Sequence, residues 1–356
     1  MKPKIISLSK KAISIKSTAN NSKKIEKILA LFLKQFKPAN HFKIKKFNNN
    51  NKPSAIIQPK NKTPKIWLNA HLDVVPGSEK LFEPKIVGNR LMGRGSQDMK
   101  TAAAAITLLT KKLISQGINI GLILVTDEEI GGHNGTKFLI DKKIVKPKFV
   151  IVGESTNLQI GNEAKGPIKI SITSKGKSAH SSKPWLGKNA INQLLPSINK
   201  LNRKFPTSNK AVWKTTCNLS TISGGQTINQ VPDQCQITLD IRRIPQDNPT
   251  TIIKNIKLIF NKHLVKVKML EPHIFTDKND PFVKNLAHSI KIITSKKAIF
   301  RKGHGSADIR FFTDKKIPAI AFGLKGSGLH SHHEWVDINS INPFIKILKH
   351  FIINNQ

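Results

Sequence analysis

The apolar positions of this chain change period along its length. In IEKILALFLKQF (25–36) they recur every three to four residues, the spacing of one buried helical stripe, and residues 4–37 read as helical throughout. NNNNKP (48–53) reads as a loop or hairpin turn, being made of residues that favour turns. KIWLNAHLDVV (65–75), GLILVTDEE (121–129) and KFVIVGES (148–155) are short apolar runs that read as buried strands. MKTAAAAITLLTKKL (99–113) reads as a strong helix because Ala and Leu have high helix propensity, and a further helix is expected near 135–142. Strands alternating with helices predict an α/β layer built on a mainly parallel sheet.

Near residue 166 the period drops to two. GPIKISITSKG, NLSTISGG and QCQITLDIRR alternate apolar and polar positions, as half-buried antiparallel strands do, with helices expected near 187–204 and 249–262. After DKNDPF (277–282) the α/β character returns, with helices at 283–295 and 341–353, helix-like ADIRFFTD (307–314) and the strand PAIAFG (318–323). The predicted organisation is an α/β domain in two parts, 1–166 and 277–356, with an α+β module, 167–276, inserted between them. A length of 356 residues fits two domains.

Composition narrows the function. The formal net charge is +39, yet only seven of the 60 basic residues are Arg, and the lysines are spread along the whole chain. The absence of an arginine-rich arm and of a recognisable nucleic-acid motif argues against a nucleic-acid partner. No apolar run reaches the ~18–20 residues of a membrane span. MKPKIISLSKKAISIK at the start lacks the apolar run of a secretory signal, so a cytoplasmic protein is expected. Cys217 and Cys235, the two cysteines, read as small core residues. Acidic residues number 21, and six of them, Asp73, Asp98, Asp127, Glu128, Glu129 and Glu154, fall in short segments beside glycines. A chain drifting this far toward Lys keeps carboxylates where something needs them.

Taken singly these residues are ambiguous. His71-Leu72-Asp73 ends a predicted strand, where side chains two apart point the same way; it can be a metal-ligand pair or a surface pair. Asp98 opens the alanine-rich helix and can be its N-cap. Glu128 and Glu129 follow a buried strand, where adjacent carboxylates repel unless a cation lies between them. Glu154 repeats the order strand, Gly, Glu, and His330 follows the glycine-rich GLKGSG (323–328). Together they place imidazole and carboxylate groups at or just after separate strand ends, where open α/β sheets collect ligands. Two His and three carboxylates, one shared, suit a pair of borderline divalent ions such as zinc, with one carboxylate left over as a base.

HLDVVP (71–76), GRGSQDMK (93–100), TDEEIGG (126–132), VGES (152–155), GKSAHSS (176–182), INQVPDQCQITLDIR (228–242) and HSHHE (330–334) resemble, in order, the motifs of the metallopeptidase family of aminoacylase, acetylornithine deacetylase, succinyl-diaminopimelate desuccinylase and glutamate carboxypeptidase. The resemblance implies hydrolysis of an amide bond in an N-acyl amino acid or small peptide bearing a free carboxylate, with 1–166 and 277–356 as the catalytic domain and 167–276 as a ferredoxin-like lid and dimerisation domain that joins a homodimer. It implies two ions, Zn2+ with Co2+ able to substitute. His71, Asp98 and Glu154 would hold one, and Asp98, Glu129 and His330 the other. Three residues separate the ligand from the Glu in the family pattern, which selects His330 over His332 and His333. Glu128 would be the general base, Asp73 would support His71 or the local electrostatics, and His180 would reach the neighbouring subunit's site. Asn229 and Arg242 match substrate-binding positions; a structural ion pair is the alternative for Arg242. Ser155 and Leu324 stand where the family commonly has proline. HGSADIRFF (304–312) lies nearer the desuccinylase side of the family. A di- or tripeptidase, a non-catalytic metal-binding relative and a basic nucleic-acid binder are the competing readings.

Overall fold

The computed structural model describes residues 1–37 and 40–356 and divides into two compact units. The first comprises Met1–Glu163, Phe275–Arg301 and Ala307–Gln356; the second comprises Ala164–Ile274 and Lys302–Ser306. The sequence reading had put the last of these segments in the catalytic domain. It falls in the second unit, where the Lys302 ammonium lies 5.1 Å from the Trp213 ring centroid and the His304 ring meets that indole edge-on.

The first unit is built on a sheet whose centre is parallel. Ile120–Val125, Ile66–His71, Phe149–Val152 and Ala319–Ala321 lie side by side in that order, each parallel to its neighbour. Every residue of Ile66–His71 and Ile120–Val125 is buried. Successive strand side chains point to opposite faces, so both faces of these strands are covered, which is why the runs are continuously apolar rather than alternating. Lys52–Pro59 pairs antiparallel with Ile120–Val125, and Phe42–Asn49 closes that edge through a hairpin. The turn is Asn50-Asn51, at φ 49 and 58, a left-handed pair that Asn tolerates and that matches the twist of a two-residue hairpin. The helix Thr101–Ser115 buries Ala102–Ala105, Leu109 and Leu113 in a core shared with Pro281–Thr294 and Ile341–Ile353.

The N-terminal helix expected over 4–37 is two helices, Lys2–Ile13 and Ser22–Leu33, followed by a 3-10 turn at Lys34–Phe36. The polar stretch between them breaks the run. Ser17 donates its hydroxyl to the Leu72 carbonyl and accepts the Val74 N–H, and the Asn21 side chain caps the second helix at Lys24.

The second unit is an antiparallel sheet in the order Thr216–Gly224, Gln234–Arg243, Gly166–Lys175, Leu264–Leu270. Gln234–Arg243 alternates buried and less buried positions, and its inward residues Ile237, Leu239 and Ile241 meet Leu194, Leu201, Ile252 and Ile256 of the helices Ala190–Lys204 and Pro249–Ile259. The chain order strand, helix, two strands, helix, strand is that of a ferredoxin-like module. Cys235 is buried in its core and Cys217 is partly buried against it; both are free thiols. Among the described residues, no helix is long and apolar enough to cross a membrane.

Candidate metal centre

The chemistry of the first unit gathers where its parallel strands end. His71 is the last residue of Ile66–His71; Asp127, Glu128 and Glu129 follow Ile120–Val125; Glu154 lies two residues beyond Phe149–Val152. A parallel sheet aims these carboxyl ends to one side, so neighbouring strands bring residues distant in sequence together. His330 comes from elsewhere. It sits at φ 60 in the tip between the short strands Gly326–Ser327 and Trp335–Asp337, and the latter pairs with Arg90–Met92.

Asp98 is the meeting point. Its Oδ1 lies 3.0 Å from His71 Nε2 and its Oδ2 lies 3.2 Å from His330 Nε2. Glu154 Oε1 is 3.9 Å from His71 Nε2, and Glu129 Oε2 is 3.3 Å from His330 Nε2. Two sets of potential ligand atoms result, His71–Asp98–Glu154 and Asp98–Glu129–His330, with the atoms of each set within 4.8 Å of one another. Glu154 Oε1 is buried with no hydrogen-bond partner. A buried, unpaired carboxylate oxygen is costly in a protein interior, and a cation beside it removes the cost. The donor set, imidazole and carboxylate, suits borderline divalent ions.

Glu128 belongs to neither set. Its backbone N–H and that of Glu129 donate to the two oxygens of Asp73 at 3.2 and 2.9 Å. Asp73 also lies behind His71, with Oδ1 3.4 Å from Nδ1 and its carbonyl oxygen 3.1 Å from the same nitrogen. A partner on the far ring nitrogen orients a histidine whose Nε2 faces the site. Asp73 thus serves both the His71 ring and the Glu128-Glu129 turn.

The electrostatics follow from crowding. Burial, with the neighbouring Glu154, Asp308 and Asp73 charges, lifts the Glu128 carboxyl well above the usual range, and His71 partly opposes it. Burial and the Asp98 charge push Glu154 up to about 8. Burial acts to raise Asp98 too, but the hydrogen bonds to His330 and His71 overcome it and hold its pKa well below the ordinary value. His330, hydrogen-bonded to Asp98 and Glu129, is pushed up to about 10.

Several residues to which the sequence reading gives no role support the site. Glu334 served there only as a spacing mark, yet its buried carboxylate binds the Gln97 and Asp98 N–H groups and the Arg94 guanidinium. Arg94 stands inside the quoted GRGSQDMK motif, which was the available signal. Asp127 accepts the Asn134 and Gly135 N–H groups at 2.7 and 3.1 Å, shaping the turn after Glu129. Asp308, from HGSADIRFF, is buried and accepts the Thr136 hydroxyl, and burial pushes its carboxyl up to about 7. Both departures from the family pattern are accommodated: Ser155 donates its hydroxyl to the Gln97 carbonyl at 2.7 Å, and Leu324 is buried in the core.

The remaining expected residues lie in the second unit. His180 is exposed; its Nδ1 is 2.7 Å from the Ser182 hydroxyl, and it bridges to Gln230. Asn229 is exposed and its carbonyl accepts the Ser181 N–H at 2.9 Å. Arg242 makes a two-point ion pair with Asp240, at 2.7 and 3.0 Å, two residues away on the same face of its strand.

Comparison with known proteins identifies the family. The model of Peptidase family M20/M25/M40 matches residues 67–354. Succinyl-diaminopimelate desuccinylase of Pelagibacter ubique is 30% identical over 325 residues, covering 83% of each chain. Aminopeptidase PepT of Bacillus cereus superimposes with a TM-score of 0.81 at 18% identity, over 99% of this chain and 98% of that one. The M20 family metallo-carboxypeptidase Sso-CP2 of Sulfolobus solfataricus gives 0.80 at 19% identity, over 98% of each. The chain therefore belongs to Peptidase family M20/M25/M40 and is a hydrolase of amide bonds in acyl-amino acids or peptides.

Proposed function

We propose that the protein is a two-metal deacylase that removes the acyl group, of the succinyl or acetyl class, from the amino nitrogen of a small carboxylate-bearing amino acid. The observation that carries this reading is Asp98, whose two oxygens face His71 and His330 and so can be shared by two ligand sets. His71, Asp98 and Glu154 would hold one ion, and Asp98, Glu129 and His330 the second. When bound, the ions, zinc with cobalt as a substitute, would polarise the scissile carbonyl and make water acidic enough to ionise near neutral pH.

The chain's own residues do the rest. Glu128, free of both sets and with a raised pKa, takes the proton of the attacking water and returns it to the departing amine nitrogen. Asp73 keeps the Glu128 backbone and the His71 ring in place. His180 of the neighbouring subunit, in a homodimer formed through the second unit, donates to the oxyanion. Asn229 and Arg242 hold the substrate, Arg242 by exchanging Asp240 for the substrate carboxylate. The protein works in the cytoplasm.

Support for the acyl class comes from the desuccinylase relative, whose similarity spans most of both chains. The experiment is a panel of N-succinyl and N-acetyl amino acids and of dipeptides, assayed with zinc-loaded, chelated and cobalt-restored protein. Chelation should abolish hydrolysis and either metal should restore it, with N-acyl amino acids turned over faster than dipeptides. Full activity in verified metal-free protein would remove the two-metal reading; faster turnover of dipeptides would make the chain a dipeptidase.

A further inference from the structure

The loop carrying Asp98 and the tip carrying His330 are joined by a buried ion pair whose members stand 240 residues apart. Glu334 is 1% exposed. Its Oε1 accepts the Gln97 and Asp98 N–H groups at 3.0 and 3.1 Å, and its Oε2 accepts Arg94 Nη1 at 2.7 Å. Arg94 Nη2 donates to the carbonyl of His330 at 3.2 Å. The Gly93 N–H closes the arrangement on the Glu334 carbonyl at 3.1 Å. One ion pair therefore grips the backbone of both Asp98 and His330. His330 needs such a grip, because it sits in the left-handed region at φ 60, where non-glycine residues are uncommon.

We propose that Glu334 and Arg94 are positioning residues that set how tightly the Asp98–Glu129–His330 group holds its metal ion; this rests on the two-metal reading above. Asp98 and His330 are two of the three side chains of that group, and the pair fixes both. In the His71–Asp98–Glu154 group it touches Asp98 alone, and Asp73 secures His71 independently. Disturbing the pair therefore weakens the two groups unequally. Arg is required because its planar fork reaches a carboxylate and a carbonyl at once, which a lysine ammonium on a flexible stem does not reproduce. Partners of metal ligands typically contribute about 10–100-fold in metal affinity.

The test is cobalt titration of metal-free, full-length protein, followed by visible absorption and by calorimetry. Glu334→Gln and Arg94→Lys should each retain one class of site within about threefold of wild type and weaken the other by about 10–100-fold. Excess metal should then recover most of the lost turnover, which damage to the fold would not allow. Two unchanged classes in both variants, or two classes weakened equally, would overturn the proposal. Arg94→Lys keeps the buried positive charge and decides the matter alone should Glu334→Gln fail to fold. Wild-type protein taking up fewer than two ions would instead overturn the two-metal reading itself.

Discussion

Glu128 and Glu129 are adjacent, have the same functional group and leave the same strand, yet the proposed mechanism gives them different work. Glu129 Oε2 lies 3.3 Å from His330 Nε2 and completes a candidate ligand set, whereas Glu128 belongs to neither set. Both backbones are held by Asp73, so exchanging either side chain for the equally sized Gln leaves that attachment intact. Glu128→Gln should keep two metal ions per chain and lose about 10²–10⁴ in kcat, the usual worth of a general base. At 1.36 kcal/mol per decade that is about 3–5 kcal/mol of barrier. Glu129→Gln should instead lose one ion after dialysis. Metal content by mass spectrometry and kcat on an N-acyl amino acid separate the two. The metal-free protein offers an independent check. Burial raises the Glu128 pKa, so this carboxyl contributes stability while protonated and loses it as pH rises through its folded-state value. Metal-free Glu128→Gln should therefore unfold at a higher temperature than metal-free wild type at pH ~8, with the gap closing below the unfolded-state value near ~4.3. Loss of an ion from Glu128→Gln, or kcat within about threefold of wild type, would refute the assignment.

Three further outcomes are expected. Asp308→Asn should stabilise the protein at pH ~8 but not at pH ~4, because burial pushes Asp308 up to about 7 and its ionisation above that value costs stability; equal denaturation midpoints at both pH values would count against this. Gly132→Ala should destabilise by about 2–5 kcal/mol in urea unfolding, since Gly132 has φ 65 and an added Cβ would fall 1.9 Å from Asp308 Oδ1; a loss below ~0.5 kcal/mol would show the turn to be more compliant than drawn. His180→Ala and Glu128→Gln should each be nearly inactive, and mixed subunits should recover up to about a quarter of wild-type activity if composite sites form in a dimer; no recovery after proven subunit exchange would exclude the partner-subunit role of His180.

Local pattern alone carried much of this protein. Continuous apolar runs marked Ile66–His71, Ile120–Val125 and Phe149–Val152 because strands buried on both faces have no polar side to show. Strict alternation marked Gln234–Arg243 because only one face packs on helices. The imidazoles and carboxylates of the centre stood out because acidic residues are rare in a chain with +39 net charge, and rarer still beside strand ends. What pattern could not supply was anything made by contact across the fold. The break between Lys2–Ile13 and Ser22–Leu33 depends on Ser17 meeting Leu72 and Val74, which no helical periodicity records. Nor does sequence say that Asp73 lies under the Glu128-Glu129 turn as well as behind His71, or that Arg94 and Glu334 join across 240 residues. Hydrophobic periodicity is a property of one element and its nearest surface, so it is legible one segment at a time. A hydrogen bond between loops depends on where the whole sheet delivers them, and only the tertiary structure decides that.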